Sequence, residues 1–101
     1  LYVIWASMAD KNFTSMMQRV AQQADQLILT APESERSARP DDLYQTLPEV
    51  LKTKATIQTT VEAALDHVYS NATSQDLVVV AGSLYLIGEL RRQLVGEVVN
   101  E

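Results

Sequence analysis

Short, continuous apolar runs occur along the chain at residues 1–6, 27–30 and 77–81, and a weaker run covers residues 55–58. Each has the length of a β-strand and is bounded by polar residues. Their apolar character is continuous rather than alternating, which is typical of strands covered on both faces. We therefore predict four strands of a largely buried, parallel sheet.

The segments between these runs have the periodicity of amphipathic helices. In the first, apolar residues follow the spacing i, i+3, i+4, i+7, i+8 and i+11, with Asp10 or Asn12 as a plausible N-cap. The apolar positions of this helix are Phe13, Met16, Met17, Val20, Ala21 and Ala24. Pro40 begins a second helical pattern. Pro48 interrupts that pattern, which leaves open a short helix ending near Leu47 followed by a turn, or one kinked helix.

Two further helices are predicted in the second half of the chain. Thr59 and Glu62 have the spacing of a capping box, in which side chain and backbone satisfy each other at a helix start. The apolar positions that follow are Val61, Ala64, Leu65, Val68, Tyr69 and Ala72. A last helix follows Gly82 and carries Ile87, Leu90 and Leu94 on one face. In the second helical pattern, which begins at Pro40, the apolar positions are Leu43, Leu47, Val50 and Leu51.

A strand followed by a helix thus occurs four times, which predicts an α/β fold. With right-handed crossovers, this order gives a Rossmann-like three-layer α/β/α sandwich around a mostly parallel sheet. The 101 residues suffice for one domain, which we predict to span residues 1–101. The chain begins inside an apolar run without a methionine, so we expect an excised or truncated domain.

Composition and charge exclude several classes of function. The chain is 47% apolar, too apolar for a disordered protein, and no apolar run approaches the roughly 18 residues of a membrane span. It has no cysteine, which excludes a disulfide framework and suits a reducing cytosol. A formal net charge of −5 without a basic stripe argues against nucleic acid and anionic membranes as partners.

The loops after the strands are where ligands of an open parallel sheet bind, and three of them carry groups suited to an anion. Lys11 precedes a helix start, although Asp10 could simply cap that helix and leave Lys11 solvated. Ser83 follows Gly82 at the end of the last strand, where it could bind a ligand or act only as an N-cap. Arg36 or Arg39 could bind a carboxylate or phosphate, although mixed charge in a loop is more often solvated.

Other residues give no sharper indication of chemistry. His67 has no second histidine with which to form a metal site or a catalytic triad. Trp5 and Tyr69 occupy positions expected for the core. Neither a dinucleotide-binding glycine motif nor a nucleotide phosphate loop occurs in the sequence, so the residues alone identify no enzyme.

Residues 82–91 closely resemble the Gly-Ser-Leu-Tyr-Leu-x-Gly-Glu-x-Arg stretch of bacterial folylpolyglutamate synthases and dihydrofolate synthases. Residues 9–12 resemble the Asp-Lys-Asp loop of that family, and residues 30–38 resemble its loop containing proline and arginine. The family belongs to the wider group of ATP-dependent ligases that includes the Mur ligases. The resemblance covers the chain in order and implies a Rossmann-like C-terminal ligase domain in the cytoplasm.

The resemblance also implies a reaction and a set of binding residues. ATP, with magnesium, would convert a pterin-linked carboxylate into an acyl phosphate, which the amine of L-glutamate attacks. Lys11 and Ser83 would bind the carboxylates of glutamate, with Arg36 as a weaker candidate and no catalytic residue in this chain. Dihydropteroate and a reduced folate both fit as the second substrate.

The sequence departs from the family in two respects. It lacks the family's Asp-Gly-Ala-His-Asn-Pro segment and the phosphate loop of the central domain. We therefore expect a domain without its first strand and helix, unable to catalyse ligation alone, with ATP and magnesium bound mainly by absent segments. Its uncovered apolar surface would favour self-association. The alternative is a stand-alone Rossmann-like ligand-binding or interaction module without ligase activity.

Overall fold

Strands and helices alternate in the computed structural model, which describes residues 1–9, 14–32, 36–73 and 75–82. The elements in chain order are β1 (Tyr2–Ala6), α1 (Thr14–Gln23), β2 (Gln26–Leu29), α2 (Pro40–Gln45), α3 (Glu49–Lys52), β3 (Ala55–Ile57), α4 (Val61–Asn71) and β4 (Val78–Gly82). All four predicted strands are present. The N-cap predicted at residue 10 or 12 and the helix predicted after residue 83 lie outside the described residues.

The four strands form one sheet in the order β3-β2-β1-β4, and every neighbouring pair is parallel. Val3 of β1 pairs with Leu27 of β2 on one side and with Val79 of β4 on the other. The chain steps outward from β1 to β2 to β3 and then crosses back over the sheet to β4. The two central strands, β1 and β2, carry most of the fully buried residues.

The helices cover both faces of this sheet. Successive side chains of a strand point to opposite faces, and the two core clusters follow that alternation. Val3 and Trp5 of β1 pack in a cluster with residues of α1 and α3, including Met17 and Leu51. Ile4, Ala6 and Ile28 pack in a second cluster with residues of α4. The structure therefore confirms the three-layer α/β/α sandwich, with α1, α2 and α3 on one face and α4 on the other.

The start of α4 differs by one residue from the capping box predicted at Thr59. Thr60 has the extended backbone of an N-cap, with φ −127° and ψ 155°, and its Oγ1 accepts a hydrogen bond of 3.1 Å from the Ala63 amide. The Thr60 hydroxyl therefore caps the helix, which begins at Val61, and Val61, Ala64 and Val68 are buried against the sheet. The prediction of Thr59 as the cap was wrong.

Pro48 divides the region after Pro40 into two short helices. α2 ends at Gln45, and Pro48 serves as the N-cap of α3. The Pro48 carbonyl accepts hydrogen bonds from the Leu51 and Lys52 amides at 2.9 and 3.1 Å. Of the two alternatives left open by the sequence, the structure shows the interrupted helix, followed by a further helical turn.

Several apolar residues assigned to buried positions are exposed. Tyr69, expected in the core, has 66% of its surface exposed, because Val61, Ala64 and Val68 form the centre of the buried face of α4 and Tyr69 lies at its border. Met16 and Val50 are also exposed. Among the described residues β4 lies at the sheet edge and pairs with β1 alone, and its first two residues, Val78 and Val79, are exposed.

Candidate functional site

The carboxyl ends of the four strands meet at one edge of the sheet, which is where an open parallel sheet binds ligands. Ser7, Thr30 and Gln58 follow β1, β2 and β3, and Gly82 is the last residue of β4. The chain leaves β1 towards β2, whereas β4 lies on the other side of β1. The strand order reverses at this point, so the crevice between the ends of β1 and β4 is the expected ligand site.

The end of β4 approaches the end of β1 very closely at Gly82. Gly82 has a φ of 102°, which L-residues with a side chain rarely adopt. A Cβ atom at this position would lie well inside van der Waals contact with the Ala6 carbonyl oxygen and 3.2 Å from Cε2 of Trp5. The turn that leads to Ser83 therefore requires glycine, as the sequence indicated.

A buried hydrogen bond lies beneath this turn. The indole Nε1 of Trp5 donates to Oγ of Ser7 over 2.7 Å, and both residues are buried. Trp5 lies in the core on the α1 face, as predicted. Ser7 is the first residue after β1 and begins the loop that leads to Lys11.

The loop after β1 is joined to the loop after β2 by backbone hydrogen bonds. The Ala9 amide donates to the Arg36 carbonyl at 2.6 Å, and the Ala38 amide donates to the Ser7 carbonyl at 2.8 Å. These bonds form a short antiparallel bridge, which we call the loop clip (residues 7–9 and 36–38). The clip brings the predicted arginine loop against the segment that carries Lys11, a proximity that the sequence did not predict.

The structure separates the two arginines that the sequence left as alternatives. Arg36 is exposed and lies within the loop clip. Two residues later, the Ala38 amide makes the backbone contact with Ser7. Arg39, by contrast, immediately precedes α2, and its guanidinium lies 3.7 Å from the carboxylate of Asp41. Arg36 is therefore the better placed candidate.

Lys11 and Ser83, the other predicted glutamate-binding residues, lie outside the described residues. Their described neighbours do lie at the proposed crevice. Ala9, two residues before Lys11, belongs to the loop clip, and Gly82 directly precedes Ser83. The residue roles inferred for Lys11 and Ser83 therefore stay predictions.

Two buried hydroxyl groups lie at this edge and were not among the predicted site residues. Among the described residues, the buried polar side chains are Ser7 and Thr30, which follow the two central strands. Oγ1 of Thr30 is buried and has no hydrogen-bond partner. Alternation along β2 places Thr30 on the α4 face with Ile28, away from Trp5 and Ser7. The sequence signal for both was a polar residue directly after a buried strand.

The other candidates give no site within the described part of the chain. His67 Nδ1 lies 3.5 Å from Nε2 of Gln58, a contact within the protein. No group of three histidine or acidic residues able to hold a metal ion is present among the described residues. Within that part of the chain, no helix has the length and hydropathy needed to cross a membrane.

Comparison with solved structures shows the same fold in folate-linked ligases. FolC of E. coli in complex with DHPP and ADP superposes with a TM-score of 0.80 at 16% identity, over 95% of this chain and 22% of that protein. The bifunctional folylpolyglutamate synthase/dihydrofolate synthase of Yersinia pestis, complexed with AMPPNP and Mn, gives a TM-score of 0.78 at 21% identity, over 93% and 22%. Mycobacterium tuberculosis folylpolyglutamate synthase, complexed with ADP and AMPPCP, gives 0.71 at 17% identity, over 94% and 23%.

These comparisons define what the chain shares with known proteins. The chain spans less than a quarter of each of these three structures, and identities this low establish the fold only. No curated protein sequence matches the chain. The family model described as "Mur ligase, glutamate ligase domain" matches residues 1–84. That match covers most of the chain, and the chain therefore belongs to the Mur ligase family, in which it corresponds to the glutamate ligase domain.

Proposed function

We propose that this chain presents L-glutamate for attack on an activated folate-type carboxylate in an ATP-dependent ligase. Membership of the glutamate ligase domain family supports the amino acid. Similarity in fold to FolC, whose structure contains DHPP and ADP, supports the second substrate and the nucleotide. In this proposal residues 1–101 are a single, truncated C-terminal domain of such an enzyme.

The observation that carries the proposal is that the loop clip and the end of β4 lie at the same, carboxyl edge of the sheet. The loop clip holds the segments leading to Lys11 and containing Arg36 together, and Gly82, the residue before Ser83, lies against Ala6. An anion at such an edge gains from hydroxyl and amide donors and from cationic side chains. Glutamate carries two carboxylates that these groups can bind.

In this proposal each predicted residue has a distinct chemical role. Lys11 supplies a compact positive charge, and Ser83 supplies a hydroxyl donor, for the carboxylates of glutamate. Arg36 offers a planar fork of N–H donors that fits a carboxylate through two parallel hydrogen bonds. None of the three transfers a proton or forms a bond to the substrate, so we assign no catalytic residue to this chain.

The rest of the ligase would hold ATP and magnesium. The described residues contain no group of acidic side chains that could bind a metal ion. ATP would supply the phosphoryl group that activates the acceptor carboxylate, and the amine of the glutamate presented by this chain would then displace phosphate from the acyl carbon. We accordingly expect the chain by itself to release no ADP when given ATP, magnesium, L-glutamate and dihydropteroate.

Steady-state kinetics test the site in the full-length ligase that contains this chain, which we call the intact protein and whose unmodified form is the wild type in these tests. Lys11→Ala and Ser83→Ala remove hydrogen bonds to a charged ligand, each worth about 1.5–3 kcal/mol, so we expect the KM for glutamate to rise roughly 10- to 100-fold. The KM for ATP should be unchanged. Arg39→Ala is the matched control, because Arg39 pairs with Asp41 outside the loop clip.

The outcomes separate the proposal from its alternative. Unchanged glutamate kinetics in both Lys11→Ala and Ser83→Ala would contradict the residue assignment. Wild-type protein that binds glutamate in calorimetry but shows no glutamate-dependent release of ADP would instead be a stand-alone binding module.

We also propose that the chain self-associates when it is separate from the rest of a ligase. β4 is an edge strand, and Leu77, Val78 and Val79 at its start are exposed. Unpaired, apolar edge strands favour pairing with another chain. Sedimentation velocity of the chain should show concentration-dependent association that Val79→Lys reduces. A wild-type chain that stays monomeric at high concentration would contradict this.

A further inference from the structure

We propose that Trp5 and Ser7 are positioning residues, whose hydrogen bond fixes the arrangement of the loop clip and the end of β4 at the proposed ligand site. This inference rests on the function proposed above and adds two residues to that site. Neither residue needs to touch glutamate in this role. Their effect on binding passes through the loop clip and the Gly82 turn.

The Trp5 side chain is fully buried, and its one polar atom has a defined partner. The exposed fraction of Trp5 is 0%, and its Nε1 donates to Ser7 Oγ at 2.7 Å. An indole N–H can only donate, so Ser7 Oγ acts as the acceptor and its orientation is restricted. Breaking this bond would leave a polar group unsatisfied in the core, which is costly, so the bond holds both side chains in place.

Ser7 connects this buried bond to the loop clip. Its side chain accepts from Trp5, while its carbonyl accepts from the Ala38 amide at 2.8 Å. Two residues later, the Ala9 amide donates to the Arg36 carbonyl. A change in the position of Ser7 therefore changes the position of Arg36 and of the segment leading to Lys11.

Trp5 also contacts the end of β4 directly. Its Cε2 lies 3.2 Å from the position that a Cβ of Gly82 would occupy, so the ring packs against the end of β4. Protein interiors are close-packed, and a ring in such contact cannot tilt without moving its neighbours. The Trp5 indole thus contacts Gly82, the residue before Ser83, and donates a hydrogen bond to Ser7, which begins the loop that contains Lys11.

The composition of the core argues that this bond has a role beyond holding the fold. Among the described residues, the buried side chains are apolar except Ser7 and Thr30. An apolar pair of similar shape would pack equally well and would not need a hydrogen bond to offset the burial of polar atoms. The hydrogen bond between Trp5 and Ser7 instead fixes the orientation of both side chains next to the carboxyl ends of β1 and β4.

Kinetics of the intact protein, with ATP, dihydropteroate and L-glutamate as substrates, test the proposal. We would compare Ser7→Ala, Trp5→Phe and the double variant Trp5→Phe/Ser7→Ala. Small misplacements of binding groups are costly, so Ser7→Ala should raise the KM for glutamate roughly tenfold or more, with the KM for ATP within about twofold of wild type. Ser7→Ala should also melt at a lower temperature, because it leaves the buried indole N–H of Trp5 without an acceptor.

The double variant separates positioning from stability. It removes both polar partners, so the loss of the Ser7 hydroxyl should lower the melting temperature much less in the Trp5→Phe background than in wild type, while the KM for glutamate stays raised. It also keeps the test decisive should Ser7→Ala fail to fold. Thr30→Val is the matched control, because Thr30 is the other buried hydroxyl at this edge but lies on the α4 face. Its KM for glutamate should equal that of wild type.

Two results would overturn the inference, and they differ from failure of the proposed function. A normal KM for glutamate in Ser7→Ala would contradict it, as would a normal KM for glutamate in the double variant. In both cases the wild type still shows glutamate-dependent release of ADP. A wild type without that activity would contradict the proposed function and, with it, this inference.

Discussion

Replacing Gly82 by alanine should be among the most disruptive single-methyl additions in this chain. Two independent features of the structure act at this residue. Its φ of 102° is unfavourable for any L-residue with a side chain. In addition, the new Cβ would overlap the backbone oxygen of Ala6 and lie 3.2 Å from Trp5 Cε2. A backbone atom in the middle of a sheet cannot move aside as a flexible side chain would.

The magnitude follows from these two contributions. A left-handed backbone costs an L-residue about 1–2 kcal/mol, and overpacking in a well-packed region costs about 1–3 kcal/mol, so together they give about 2–5 kcal/mol. Total stabilities of domains are about 5–15 kcal/mol, so a loss of this size is a large fraction of the whole. For a domain of this length, the midpoint of thermal unfolding should fall by at least about 8 °C.

Chemical and thermal denaturation of the chain measure this loss. Val79→Ala is the matched control, because Val79 lies on the same strand but is 37% exposed, and its truncation should cost about 1 kcal/mol or less. A Gly82→Ala variant whose free energy of unfolding lies within about 0.5 kcal/mol of the wild-type value would refute the reasoning, because surface substitutions without structural effect usually change it by no more than that. It would mean that β4 does not approach β1 as described.

Two further predictions follow from individual side chains. Thr60→Ala should destabilise the protein by about 1 kcal/mol in urea denaturation, whereas Thr59→Ala should be nearly neutral; the reverse order would contradict the observed start of α4. Thr30→Val should raise the free energy of unfolding by about 1 kcal/mol, because it removes a buried hydroxyl without a partner, and Thr30→Ser should not.

The sheet could be predicted from the sequence because its strands have strong local signals. Continuous apolar runs and helical periodicity between them led directly to the parallel α/β sandwich. Even the weak run at residues 55–58 forms a strand, β3 (Ala55–Ile57). The exposure of Tyr69 could not be predicted in the same way, because periodicity defines a face but not the width of the surface that the sheet can cover. Similarly, the position of β4 at the edge depends on strand order, which is a property of the whole fold.

The candidate site could be predicted only in part. The rule that ligands bind at the carboxyl ends of parallel strands predicted the edge at which the candidate site lies, and Gly82 marked the special backbone at the end of β4. The loop clip could not be predicted, because its hydrogen bonds join backbone atoms of residues that are far apart in the sequence and leave no pattern of residue types. The buried bond between Trp5 and Ser7 was missed because a tryptophan in a strand is usually a packing residue.

The backbone chemistry of the loop clip has a consequence for how this edge can change. Its two hydrogen bonds use only the amides of Ala9 and Ala38 and the carbonyls of Ser7 and Arg36. Substitutions in these loops, other than proline at Ala9 or Ala38, leave the donors and acceptors of the clip in place. Side chains at this edge, including Arg36, can therefore be exchanged while the path of the chain is kept.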